Sequence, residues 1–367
     1  MRRVLTVSLL TILFVLGVTL RAFADEDTQG GSQEQAMQLT LEKAIQRALW
    51  QSNALEKADL EVEDADDART TVSAVYYTNY VPGGEGLIYA AETTQFAYEQ
   101  AKKQYDLTRD QVILNTYQKY YDVLSAQEQV YSAEASLAQA EKDLVVAEAS
   151  YQVGLISKVA LEGARTKVQS AKAALAEAQG ALDDAYAALN QHIGLDEDER
   201  PVLVDMPEFE PVTRDVSTYI SYVLDESPTL WTAEEAAKYM NRVANYTVNG
   251  ETPITDEDAE KAELDAEDAR DATRLLVRTL YNSVKSLEEA RAAAEQGVKV
   301  AEETLRITEL KAEVGMATAK DVAKARADLA AARQRLFELT CSHTYMKKVL
   351  EMPWAYGGGS PGTGGAM

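Results

Sequence analysis

"YQVGLISKVALEGAR", residues 151–165, interrupts an alanine-rich helical pattern with a Val-Gly-Leu step, and the pattern then resumes. "AEVGMATAKDVAKAR", residues 312–326, repeats the interruption. Laid over itself with Gly154 on Gly315, an offset of 161, the chain matches without gaps over 109–194. Tyr120 falls on Tyr281, Leu144 on Leu305, Val153-Gly154 on Val314-Gly315 and Ala164-Arg165 on Ala325-Arg326. Alanine-rich helices match one another cheaply, but a shared Val-Gly in register with matched charges marks an internal duplication. The opening helices align at an offset of 175 instead, "TLEKAIQRALWQSNALEKA" (40–58) on "DVSTYISYVLDESPTLWTA" (215–233). The larger offset means that the second copy is shorter between its opening helix and its long one.

Around each glycine the apolar residues step by three and four. Ala133, Leu137, Ala140, Leu144, Ala147 and Tyr151 lead into the first. Leu161, Ala164, Val168, Ala171, Leu175, Ala178, Leu182, Ala185 and Leu189 lead away. The second copy keeps the phase through Ala294, Val298, Ala301 and Leu305, and through Val322, Ala325, Leu329, Ala332 and Leu336. A 3.5-residue period means left-handed coiled-coil packing. A second small lane, Ala174, Ala181 and Ala188, lets this helix be gripped from two sides, as in a wall of helices. The alternative is plain helix propensity on a solvated face.

Lengths support the wall. The descending helix, from about Ala91 to Gln152, has roughly 62 residues or ~93 Å at 1.5 Å each. An opening helix from 40 to about 69 and an ascending helix from Ser157 to Ile193 match it when stacked end to end. The glycines are the hairpin tips, where a left-handed residue turns the chain, and Ser157 and Thr318 cap the returning helices. A turn requires Gly154 and Gly315; it does not require Val153, Leu155, Val314 and Met316 to be apolar. Apolar residues at an exposed tip imply a partner.

Composition narrows the setting. "MRR", an apolar run and "AFA" at 22–24 read as a cleaved secretory signal. That leaves an exported chain from Asp25 to Met367, with no later stretch apolar enough for a transmembrane helix. Losing Arg2, Arg3 and Arg21 takes the formal charge from −24 to −27. So acidic a surface argues against nucleic acid or anionic lipid as a partner. The single cysteine, Cys341, forms no intramolecular disulfide.

With the opening "LTLEKAIQRAL", the duplicated hairpins and the tip motif "YQVGLIS", the chain resembles the TolC-like outer-membrane efflux proteins over nearly its whole mature length. The resemblance implies an all-α-dominated, TolC-like α-barrel protomer of two tandem coiled-coil hairpins, with at most one short β-hairpin in the first repeat. It implies a homotrimeric twelve-helix tube whose tips dock a periplasmic adaptor, which in turn contacts an inner-membrane pump. Carried over, Val153, Gly154, Leu155 and Val314, Gly315, Met316, with caps Ser157 and Thr318, are the adaptor-docking tips. Tyr151 and Asp321 match the family's tube gate with the repeats exchanged. Ala312 and Ala160 leave only that one pair, and the bland reading is a seam tyrosine and a first-turn aspartate.

The expected layout is a signal peptide (1–24), a linker (25–38), repeat 1 (39–194, tip 151–157), a connector (195–214), repeat 2 (215–350, tip 312–318) and a flexible tail (351–367). The family spans the outer membrane with a β-hairpin in each repeat, and a spanning strand needs about 9–11 residues. Here 71–96 offers one candidate hairpin, with Tyr76, Tyr77, Tyr80 and Tyr89 as membrane-interface residues. The polar, acidic stretch 243–268 offers none. Three chains would then supply six strands, and eight already leave room only for side chains, so the expectation is a barrel-reduced duct in the outer membrane or periplasm. Membrane contact is left open. No catalytic constellation, phosphate loop or metal-ligand spacing appears, so neither enzyme nor cofactor is expected; His343 falls on a heptad seam as a packed histidine. The rival is an exported coiled-coil scaffold or adaptor that conducts nothing.

Overall fold

The computed structural model describes residues 37–78, 85–248 and 250–356. A two-residue strand, β1 (Gln38–Leu39), leads into α1 (Leu41–Gln51), α2 (Asn53–Thr78), α3 (Glu85–Gln152) and α4 (Lys158–Ile193). After β2 (Val202–Leu203) come α5 (Val216–Glu226), α6 (Pro228–Val243), α7 (Asp256–Glu313) and α8 (Ala319–Glu351). A single 3-10 turn, Pro353–Ala355, follows.

The 68 residues of α3 run for about 100 Å without a break. α1, α2 and α4 pack along one side of it, and α8 and α6 along the other. α7 closes the far side of α8, α6 and α5. Each repeat is thus one unbroken helix beside a column of shorter ones, and the protomer is a wall four columns wide.

The duplication reaches single hydrogen bonds. Thr40 and Asp215, which coincide at the offset of the opening helices, cap α1 and α5 through the N–H groups of Lys43 and Ser217. Ser52 and Ser227, equivalent at the same offset, interrupt both opening helices, and their hydroxyls accept from Leu55 and Leu230 N–H at 3.2 and 3.3 Å. The side-chain bond restarts the helix that the serine has just ended. Tyr120 and Tyr281, equivalent on the long helices, donate to the carbonyls of Leu39 and Arg214, each the residue before its opening helix's cap.

The main core lies at mid-height. Leu39, Ala44, Ala48, Tyr120, Leu124, Leu189 and Ile193 pack together where α1, α3 and α4 meet. Tyr219, Val223, Val277, Leu280, Val284 and Leu350 form its counterpart in repeat 2, joined by Leu114 of α3. β1 pairs in parallel with β2, Gln38 on Val202 and Leu39 on Leu203, and ties the connector to the start of repeat 1. Tyr120, fully buried, also accepts from Asp205 N–H at 3.1 Å.

Three expectations are corrected. The candidate β-hairpin over 71–96 is helical wherever it is described, since α2 continues to Thr78 and α3 starts at Glu85. Its β-branched and aromatic residues suggested strands, but Thr93, Thr94 and Phe96 are accommodated within a helix. Thr93 and Thr94 donate to the carbonyls of Tyr89 and Ala90 one turn back, at 2.7 and 2.9 Å, a local bond that lets threonine sit inside a helix. Phe96 stacks on Tyr239 at 4.9 Å, joining the two repeats. Tyr76 and Tyr77 lie in α2, Tyr89 lies half-buried on α3, and Tyr80 falls outside the described residues. The opening helix, expected as one piece ending near 69, is two helices and longer. The tail, expected to be flexible from 351, packs as far as Tyr356: Pro353 and Ala355 are buried, and Trp354 Nε1 donates to the buried Asp110 at 2.8 Å. The signal peptide and residues 357–367 lie outside the described residues.

Candidate functional site: two apolar hairpin tips

Both tips have one geometry. Past the end of α3, Leu155 N–H donates to the Ser150 carbonyl at 2.8 Å and Gly154 N–H to that of Tyr151 at 3.0 Å. Past α7, Met316 N–H donates to Lys311 at 2.7 Å and Gly315 N–H to Ala312 at 3.0 Å. A bond spanning five residues back, with a left-handed residue inside it, is the Schellman ending. Gly154 and Gly315 sit at φ +76° and +75°. A Cβ at either would meet nothing within 4 Å, so the backbone angle alone demands glycine there.

The returning helices are capped differently. Ser157 Oγ accepts from Ala160 N–H at 3.2 Å. Thr318 and Asp321 form a reciprocal capping box: Asp321 N–H donates to Thr318 Oγ1, while Thr318 N–H and hydroxyl donate to Asp321 Oδ2 at 2.8 and 2.7 Å. The Thr318 backbone N–H, then its hydroxyl, hold the Asp321 carboxyl below the usual carboxylate range.

The caps satisfy the backbone and leave the apolar side chains uncovered. Val153 and Leu155 are 70% and 78% exposed, Val314 and Met316 69% and 77%. Val159, on the first turn of α4, is more exposed still. It belongs to this surface and was missed in the sequence; an apolar residue two positions after a Ser cap was its signal. Tyr151 is also exposed, one turn above Gly154. Above the tips, Lys320 Nζ reaches Asp143 at 3.3 Å and joins the hairpins. A groove of about 890 Å³ between α3, α7 and α8 is lined by Tyr131, Ala135, Ala138, Leu305, Val322 and Leu329, among others.

The single cysteine and the two histidines lie away from this surface. Cys341 is 5% exposed, and burial pushes its thiol up to about 11. His343 is fully buried against Phe209, its ring 4.8 Å from that of the phenylalanine. His192 Nε2 bonds the Thr116 hydroxyl at 2.9 Å.

Residues 87–195 and 247–344, more than half the chain, match the family model described as outer membrane efflux protein. The chain belongs to the outer membrane efflux protein family. The two matched segments are the two hairpins, one per repeat. Among solved structures, CusC, studied for conformational changes accompanying folding and transmembrane channel formation, is 15% identical, with 90% of this chain and 95% of that one covered and a TM-score of 0.61. The Campylobacter jejuni CmeC outer membrane channel is 15% identical, with 87% and 86% covered and a TM-score of 0.63. The outer membrane protein VceC of Vibrio cholerae is 17% identical, with 84% and 94% covered and a TM-score of 0.61. At these identities the likeness is one of fold. No curated protein matches. The all-α-dominated tandem-repeat efflux fold expected from the sequence is the fold found.

Proposed function

We propose that this efflux protein is an exported duct component, a homotrimeric helical tube whose two kinds of tip dock a periplasmic adaptor of a tripartite pump. The observation that carries the reading is the pair of glycine tips, each presenting two largely exposed apolar side chains. Exposed apolar surface at the end of an acidic rod favours a partner that covers it. Tyr151 and Asp321 are the candidate gate. Asp321 already spends its carboxylate on a helix cap, so gate closure would have Tyr151 share an occupied acceptor. The test is photo-cross-linking from positions 155 and 316 in the native cell, with Leu264, exposed far from the tips, as control site. Adducts to one envelope protein from both tips and none from the control support the reading, and their absence rejects adaptor docking.

A second reading has an observation behind it. α2 and α3 are separated by six residues, fewer than the roughly 9–11 that one membrane-crossing strand takes. A protomer built this way also suits a periplasmic scaffold that conducts nothing. Light scattering and negative-stain images of the chain from residue 25 to residue 367 separate the two, because a duct requires a closed ring with a lumen.

A further inference from the structure

Between β2 and α5 the chain lies across α7 and α8 as a strap, residues 206–214. Within the described residues the strap makes no backbone–backbone hydrogen bond, and Pro207 and Pro211 have no N–H to give. Side chains of α7 and α8 hold it instead. Glu288 Oε1 accepts from Val212 N–H, and Lys285 Nζ donates to the Val212 carbonyl, both at 2.6 Å. Thr344 donates to the Glu208 carbonyl at 3.3 Å, and Lys347 pairs with Glu210 at 2.8 Å. Phe209 meets both helices: the Arg291 guanidinium lies 3.9 Å from its ring centre and the His343 ring 4.8 Å away. A segment without a backbone ladder opens more easily than the helices beneath it.

His343, covered by this strap, is fully buried, and neither ring nitrogen has a hydrogen-bond partner. Glu288 Oε1, 3.6 Å from Nε2, is too distant for one, and that oxygen already holds Val212. A neutral ring leaves one donor unpaired here, whereas an imidazolium would leave two and bury a charge. The charges around the ring are Glu288, Lys285 and Arg291 on α7, Lys347 on α8, and Glu208 and Glu210 on the strap. Most are already committed: Lys285 to Glu288, Arg291 to Glu295 and Lys347 to Glu210. Glu208 is exposed to solvent. α3 meets a different face of α8, where Asp122 acts on Cys341, and α5 meets α8 nearer its end, at Val349 and Leu350. With the strap lifted the ring meets water, where an imidazole takes up its proton near pH ~6.5.

We infer that residues 206–214 form an acid-released strap, held on α7 and α8 while His343 is neutral and let go when it is protonated. Burial, reinforced by Lys347 and Arg291 and opposed by Glu288, lowers the covered ring's affinity for a proton. The hold is therefore complete above about pH 6.5 and is lost as pH falls from there through the covered value. Lys347 holds Glu210 below the usual carboxylate range, and Lys285 with the Val212 N–H does the same for Glu288 despite its burial. Neither carboxylate is the trigger. Release frees the link between the repeats from repeat 2 while β2 stays paired with β1. The inference does not depend on the duct reading.

The test is hydrogen exchange of the Val212 amide, the strap's one hydrogen-bonded N–H among the described residues. It is followed in the chain from residue 25 to residue 367, with the intrinsic pH dependence of exchange removed. Between about pH 7.5 and 5.5, one unit either side of the ordinary histidine value, Val212 protection should fall about tenfold. The amides of α3 should keep theirs. In His343→Leu the fall should vanish. Glu210→Gln, which removes only the surface pair with Lys347, should lower protection at both pH values and keep the acid step. Protection unchanged by acid overturns the inference, and so does a fall shared by α3, which is global unfolding. A step that survives in His343→Leu, or disappears in Glu210→Gln, takes the switch off the histidine and overturns it too. A second readout leaves position 343 intact. In His192→Gln the one remaining imidazole, followed by NMR, should titrate below the ordinary value, and an ordinary titration counts against the strap.

Discussion

Gly154 and Gly315 occupy the left-handed region with open space around them, so substitution there is a problem of backbone angle and nothing else. Gly154→Ala and Gly315→Ala should each cost about 1 kcal/mol, read as a small shift in the urea midpoint with helicity unchanged. Leu155→Asp should move stability by no more than about 0.5 kcal/mol, the range for exposed positions. A melting temperature lowered by tens of degrees would place Leu155 in a core and remove the docking surface. His343 gives a prediction of another kind. Burial pushes it below its ordinary value, against the opposing pull of the Glu288 carboxylate 3.6 Å from Nε2, with Lys347 and Arg291 adding to the depression. The unfolded chain takes up a proton near pH ~6.5 that the fold refuses. This contribution is therefore complete above about pH 6.5 and lost as pH falls from there through the folded value. His343→Leu should flatten the loss of stability between about pH 6.5 and 5. Some slope should remain, since burial depresses His192 as well. An unchanged profile would mean that His343 is not refused its proton.

At the scale of elements, how much the sequence revealed depended on how local the cause was. Both tips and both returning caps were readable because each needs only three or four neighbouring residues. The long helices were readable because a 3.5-residue period repeated for many turns. The breaks at Ser52 and Ser227 were also written in the sequence: the two serines coincide when the opening helices are overlaid, and Pro228 marks the first position of a helix. They were passed over because the apolar pattern runs through them. Ser52→Ala and Ser227→Ala should each cost about 1 kcal/mol, the usual effect of losing such a cap, measured by chemical denaturation. No loss at either would mean that packing on α3 and α7, and not the hydroxyl, restarts the helix. The strand reading of 71–96 failed for a tertiary reason: threonine and tyrosine favour strands only where a pleated neighbour is on offer, and here the neighbour is a helix. The pairing of β1 with β2 joins distant parts of the chain through two-residue strands, too short to leave any periodicity.

At the scale of the molecule, the end opposite the tips is tied by contacts between repeats. Thr247 N–H donates to Glu85 at 2.8 Å, Arg242 pairs with Glu92 at 2.9 Å, and Tyr239 meets Thr93 and Phe96. None of the described helices is long and apolar enough to cross a membrane. Of the two readings above, the scaffold predicts release from isolated cell envelopes in a carbonate wash without detergent, because six residues between α2 and α3 fall short of one spanning strand. A protein that stays behind until detergent is added forms membrane-embedded strands that this arrangement of helices does not supply.

The two serine joints have a mechanical consequence. In each repeat an uninterrupted rod lies beside a jointed one, as a spring strip lies beside a hinged slat. Such a pair resists stretching along its whole length, yet bends most readily at the joint and toward one side. The joints occupy equivalent places in the two repeats, near mid-height and next to the two main cores, so the soft points line up across the wall. Any flexing of the tip-bearing half would pivot about that belt and leave the opposite half at rest. Amide hydrogen exchange should accordingly be fastest, within the helical columns, at the first turns after Ser52 and Ser227.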